Sequence, residues 1–178
     1  SSAEKNSGSR DEDAIVPSIF VEFANDNGFA LGFDIVPVDN AELGSGTGDD
    51  DDFETSGANK ASAELTGHYT IYGLAPLGSS GAYFKLGMAR ATIDTTEKLA
   101  TGTTYGNADA DGLLIGLGLN RSSDDGAFFR FEGTYTDYDD VKINGSFNGN
   151  AAGDSANRNE VDADIDALAF RISIGKAF

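Results

Sequence analysis

Cysteine is absent from the 178-residue chain, which excludes disulfides and thiolate metal sites. Basic residues are scarce: 12 Lys and Arg stand against 30 Asp and Glu, a net charge of −18. Phosphate binding needs a basic face, so nucleic acid is not an expected partner. No apolar run reaches the ~18 residues of a transmembrane helix. Proline is held to three residues and histidine to one. The opening "SSAEKNSGSRDED" is polar and loop-like and carries no signal peptide, so export would imply a signal already removed or a chain that starts late.

What the chain has instead is 23 glycines, 12 phenylalanines and 6 tyrosines, a composition of strands and turns. Helical periodicity is weak throughout, whereas alternation with period two recurs between turn signals. Seven strands are expected, at 14–24, 29–38, 61–75, 81–93, 112–120, 126–147 and 161–178. Short turns "NDNG", "PLGSS" and "RSSDD" alternate with long links at 39–60, 94–111 and 148–160. Transmembrane β-barrels segregate short turns to one rim and long loops to the other. The domain reading is therefore an outer loop or polar N-terminal segment at 1–13 and a barrel at 14–178.

Each strand has an apolar face and a mixed face. The mixed faces hold Glu22, Asp34, Glu64, His68, Lys85, Arg130, Glu132 and Arg171, separated by Gly, Ala and Ser. Small residues with charges of both signs fit a narrow interior in which charges pair, because an unpaired buried charge costs several kcal/mol. The mixed faces are thus expected inside and the apolar faces, including Leu113, Ile115, Leu117, Phe129, Phe170 and Ile172, outside. The aromatics Phe20, Phe23, Phe128, Phe129, Phe131, Tyr135 and Tyr138 are expected in an outward belt and girdle.

The last strand, "ALAFRISIGKAF", alternates Phe170, Ile172 and Ile174 and closes on Phe178. This pattern resembles the C-terminal strand of bacterial outer-membrane β-barrels, and the whole plan resembles the small eight-stranded barrels of the OmpA-barrel and OmpX type. Lys176 departs from the pattern, though a lysine near a rim can snorkel. The resemblance implies an all-β, antiparallel up-and-down transmembrane barrel in the outer membrane of a Gram-negative bacterium, a cell-envelope protein without catalytic activity. It makes Phe170, Ile172, Ile174 and Phe178 an insertion signal for the barrel-insertion machinery. Lipid and lipopolysaccharide are the implied partners, with another envelope protein or a strand from another chain as further candidates. Seven visible strands are odd where such barrels are even, so an eighth strand is expected, most simply upstream of Ser1, with a strand from another chain or one within 141–148 as the alternatives.

Two acidic stretches invite comparison with cation sites. Asp49, Asp50, Asp51, Asp52 and Glu54, with Asp39 and Glu42 nearby, offer clustered hard ligands without an EF-hand spacing. Asn107, Asp109, Asp111 and Gly112 echo the start of a calcium loop that no glutamate completes. Solvated loops are the plainer reading, so no cofactor is expected beyond loosely bound calcium or magnesium. His68, the lone histidine, could serve a hydrolase only with a serine and an acid beside it; a bond to a neighbouring Glu or Tyr is the plainer expectation. A structural and surface-display role is the expected function. The alternatives are a small solute channel, a soluble lipocalin-like ligand-binding barrel and, last, a lipid hydrolase.

Overall fold

The computed structural model describes residues 13–37, 41–49, 58–98, 103–104, 107–144, 146–147 and 160–178. Among these there is no helix. Ten strands follow in order: β1 (Ile19–Ala24), β2 (Ala30–Val36), β3 (Ala41–Asp49), β4 (Ala58–Pro76), β5 (Ala82–Lys98), β6 (Thr103–Thr104), β7 (Ala108–Ser122), β8 (Ala127–Asn144), β9 (Ser146–Phe147) and β10 (Glu160–Lys176). Seven of them form one curled antiparallel sheet in the order β1-β2-β4-β5-β7-β8-β10, a half-barrel with β1 and β10 at its edges. Strands adjacent in the chain are adjacent in space, as an up-and-down meander requires. The pair β6–β9 stands apart from this sheet.

The expected seven strands are all present, and their lengths differ from expectation. β1 begins at Ile19, so residues 14–18 lead into the strand without joining it. The expected loop at 39–60 contains β3, which pairs with the first half of β4. The link at 94–111 is likewise shortened, since β5 runs to Lys98 and β7 starts at Ala108. These extensions carry Gly, Ser, Thr and Ala without apolar alternation, so periodicity could not find them; backbone pairing alone makes them strands. Residues 148–159 lie outside the described residues.

The three short turns share one end. Asn25-Asp26-Asn27-Gly28 and Ser123-Asp124-Asp125-Gly126 have the same hydrogen-bonded frame: Gly28 N donates to Asn25 O at 2.9 Å, and Gly126 N to Ser123 O at 3.0 Å. Each closes on a glycine in the left-handed region, Gly28 at φ 83° and Gly126 at φ 85°, where a side chain would be strained. In the first turn the Asn25 carboxamide oxygen also accepts from the amides of Asn27 and Phe29, both at 3.0 Å.

Alternation gives the sheet two unlike faces. The convex face exposes Ile19, Val21 and Phe23 of β1, Leu31, Phe33 and Ile35 of β2, and Leu168, Phe170, Ile172 and Ile174 of β10, with similar sets between. The concave face buries Asp34, Thr70, Tyr72, Lys85, Ala89, Arg130, Glu132 and Ser173.

The apolar set crosses the sheet obliquely. One hydrogen-bond row reads Ile19–Ile35–Tyr69–Arg90–Asp111, apolar on three strands and ionic on two. Two residues nearer the short turns, the row reads Val21–Phe33–Ile71–Met88–Leu113–Asp137–Asp166. Two further, Phe23–Leu31–Gly73–Leu86–Ile115–Tyr135–Leu168 holds no charge. The upper limit of the apolar surface therefore slides by two rows, or four residues, from β1 to β10. That is ~13 Å of strand over ~29 Å of sheet, an inclination of roughly 25°. A band level with respect to an external plane would slide in this way across strands that tilt.

Candidate functional site: a packed ionic interior

The concave face gathers six charged side chains at its centre. β1 supplies Glu22, β2 Asp34, β5 Lys85, β8 both Arg130 and Glu132, and β10 Arg171. Asp34, Lys85, Arg130 and Glu132 are each 5% exposed or less. Three cations face three carboxylates, and the near pairs Arg130–Glu22, Lys85–Glu132 and Arg171–Asp34 join strands that are not sheet neighbours. Arg130 holds Glu22 through two hydrogen bonds, Nη1 to Oε1 at 2.6 Å and Nη2 to Oε2 at 2.8 Å. Lys85 Nζ donates to Glu132 Oε1 at 3.0 Å. Arg171 pairs with Asp34 Oδ2 at 2.7 Å, approaches Glu132 Oε2 at 3.8 Å, and donates to Ser18 Oγ at 2.6 Å. Matching of charge and geometry is what makes such burial tolerable.

Aromatic rings pack against this layer. The Tyr72 hydroxyl donates to Glu22 Oε1 at 2.7 Å, while Lys85 Nζ sits 3.8 Å from the Tyr72 ring centroid. The Arg130 guanidinium is ringed by Phe20, Tyr83 and Phe128, at 5.4, 5.2 and 5.1 Å from their centroids. Three glycines make room for these rings. Gly32 is the cross-strand partner of Tyr72, Gly118 of Tyr83 and Gly175 of Phe128. In each case a Cβ on the glycine would collide with the partner's ring. The aromatic side chain lies flat across the neighbouring strand, and the glycine is its seat.

Toward the long connections, His68 Nε2 and the Tyr138 hydroxyl are 2.9 Å apart. Tyr138 packs with Ile165 and Ala108 against Ala91 and Ala110, a second apolar layer over the ionic one. The bonded partner of His68 is a tyrosine, not a serine or a carboxylate.

Seven of the eight residues expected inside join one of these layers. Glu64 does not: it stands nearer the long connections, opposite Asp94. Arg171 takes Asp34 as its near partner, with Glu132 second. Three aromatics expected in the outward belt are inside. Phe20, Phe128 and Tyr138 alternate in phase with Glu22, Arg130 and Thr136, and that parity decides the face whatever the side chain. Phe23, Phe129, Phe131 and Tyr135 do point outward. Phe170, Ile172, Ile174 and Phe178, expected as an insertion signal, are all exposed, the first three on the convex face of β10. Ser18, Tyr72 and Tyr83 are members that sequence reasoning did not single out, because only the register shows what lies across from them.

The acidic candidates fare differently. Asp49 ends β3, and 50–54 lie outside the described residues. Asp109 and Asp111 lie on strand β7 and not in a loop. Asp109 Oδ1 accepts from the Thr92 hydroxyl at 2.9 Å, and Asp111 takes a two-point bond from Arg90 at 2.5 and 2.6 Å. Asp109, Asp111, Asp137, Asp139, Asp164 and Asp166 border the apolar surface at its upper limit on β7, β8 and β10. Among the described residues no three carboxylate or imidazole groups converge as a metal-binding set.

Comparison with protein-family models, with curated proteins and with solved structures returned no match.

Proposed function

We propose that this chain is the membrane-spanning barrel of a bacterial outer-membrane protein, with a structural and surface-display role. The observation that carries the reading is the convex apolar band, bordered by charge on β5, β7, β8 and β10 and sliding across the sheet. At β2 and the residue just ahead of it the band runs from Phe29 to Ile35, on β8 from Phe129 to Tyr135 and on β10 from Leu168 to Ile174. Each stretch spans seven residues, about 20 Å between end Cα atoms before side chains are counted, against an apolar band about 25 Å tall in outer-membrane barrels. Phe170 is 85% exposed and Ile174 80%. An apolar surface of that extent needs a cover, and a lipid bilayer supplies one of uniform height. Tyr69, Tyr135 and Arg90 mark its upper border, where amphipathic side chains favour an interface.

The interior supports a plug over a channel. Side chains that bond across the concavity fill it, in keeping with the narrow bore of an eight-stranded barrel. A lipocalin-like barrel would turn its apolar stripes inward; here they face out. The acidic border and the polar extensions beyond it would stand on the outer surface among lipopolysaccharide headgroups.

Fractionation and electrophoresis test the reading. The expected result is recovery with membranes and, without boiling, an SDS-resistant species of altered mobility. A monomer recovered from aqueous buffer without detergent would overturn it. Planar-bilayer recordings should show no steady conductance.

A further inference from the structure

Two exposed cations take no part in the ionic interior. Among the described side chains of the convex face, Arg90 is paired with Asp111 at the upper border. Arg121 on β7 and Lys176 on β10 stand at the lower border, toward the short turns, and neither joins a carboxylate in an ion pair among the described residues. Parity turns both outward, in phase with Leu119 and Ile174. Arg121 Nη1 donates to the Ser80 carbonyl, which holds the guanidinium beside the β4–β5 turn and uses one of its five donors. The β7–β8 turn also carries Asp124 and Asp125; the Asp125 carboxylate accepts from the Ser123 hydroxyl and the Ala127 amide.

Above these cations the apolar band has a hollow. Three rows cross β7, β8 and β10: Leu117–Gly133–Phe170, then Leu119–Phe131–Ile172, then Arg121–Phe129–Ile174, with Lys176 opposite Ala127 one row lower. Gly133 is the floor: a Cβ there would meet only the Phe170 ring, at 3.7 Å. Leu117, Leu119, Phe131, Phe170 and Ile172 wall a hollow of about 530 Å³, within the ~300–1,000 Å³ of small-molecule sites. Along the strands, Arg121 lies ~13 Å from Leu117 and Lys176 ~20 Å from Phe170. Half of a hydrocarbon core ~30 Å thick is ~15 Å. The cations therefore stand about one leaflet's depth below the hollow.

We propose that this part of the convex face is a site for one anionic phospholipid. The hollow over Gly133 takes an acyl chain, and Arg121 and Lys176 take the phosphate. Guanidinium meets phosphate by two-point bonding and ammonium as a point charge. Charge fixes the direction of the lipid: at the other end of the same strands the phosphate would face Asp111, Asp137 and Asp166. The site also gives Lys176, which breaks the apolar alternation of β10, a partner outside the chain.

The proposal rests on the membrane reading, and its test can fail separately. The chain folded in neutral detergent is titrated with phosphatidylglycerol and, in parallel, with phosphatidylcholine of the same acyl chains; native mass spectrometry counts the bound lipid. Phosphatidylglycerol is expected to bind once and roughly ten-fold more tightly. Arg121→Gln with Lys176→Gln should bring the two lipids within about two-fold of each other. Gly133→Leu fills the hollow and should weaken both by about five-fold or more, with the headgroup preference kept. All three positions face outward, and circular dichroism should show the fold unchanged. Four outcomes overturn the site: equal affinities in the unaltered chain, a preference that survives loss of both cations, binding untouched by Gly133→Leu, or a dimer that Gly133→Leu dissolves. Any of these in a chain that fractionates with membranes overturns the site alone; a monomer in water without detergent overturns the membrane reading with it.

Discussion

Arg130 of β8 holds Glu22 of β1 with both of its terminal nitrogens, across a space that no backbone hydrogen bond spans. The two side chains are 6% and 13% exposed. Replacing one partner leaves the other charge buried and alone. Arg130→Met should therefore destabilise the fold by about 3–5 kcal/mol, and Glu22→Leu combined with Arg130→Met should recover most of that loss. Urea unfolding of the folded protein in detergent, followed by circular dichroism, reads both. Additive losses in the double variant would show that the pair is not coupled.

The glycine seats give a sharper steric test. Gly118→Ala and Gly175→Ala place a methyl group against the Tyr83 and Phe128 rings and should cost about 1–3 kcal/mol each. Gly133→Ala is the control: its Cβ would meet Phe170 only at 3.7 Å, an ordinary contact, and the change should stay within about 0.5 kcal/mol. The three midpoints in one denaturant series decide it. Equal effects at Gly118 and Gly133 would refute the seating of the rings.

A charge on the convex face tests what covers it. Ile115→Arg, in the middle of the band, should destabilise the protein in phospholipid vesicles by about 2–4 kcal/mol, while Asp137→Arg at its border should cost about 0–1 kcal/mol. A convex face in water would tolerate both. The difference between the two variants is the readout.

The turn at Ser123–Gly126 carries a pH dependence. The Ser123 hydroxyl first, and the Ala127 amide second, hold the Asp125 carboxyl below the usual aspartate range. A value lowered in the folded state stabilises the turn above the unfolded value of about 3.9, and the contribution disappears as pH falls through the folded value. An NMR titration should give Asp125 a midpoint below that of an unstructured peptide, and Asp125→Asn should remove this part of the acid sensitivity. A midpoint at or above the peptide value would contradict the bonding.

Much of the fold was legible because alternation is a local signal. Leu113, Ile115 and Leu117 against Gly116 and Gly118 already separate two faces, whatever pairs with the strand. The interior charges Lys85, Glu132 and Arg171 were legible for the same reason. Their partners were not. Lys85 and Glu132 are 47 residues apart, and Arg171 meets Asp34 over a still longer separation; no spacing encodes such a bond. Parity also marked Phe20, Phe128 and Tyr138 as inward, against the ordinary expectation that rings seek the apolar face.

Strand class, the two faces and the position of the short turns are written into the amino-acid order, since they follow from side-chain period and glycine-bearing turns. Register was left to the tertiary structure, and register is where the remaining properties arise. It sets Tyr83 over Gly118, extends β3 along β4, and carries the apolar band obliquely from Ile19 to Ile174. It brings Arg171 near Ser18. Each of these is a relation between residues far apart in the chain, fixed only when backbone hydrogen bonds choose one alignment of neighbouring strands.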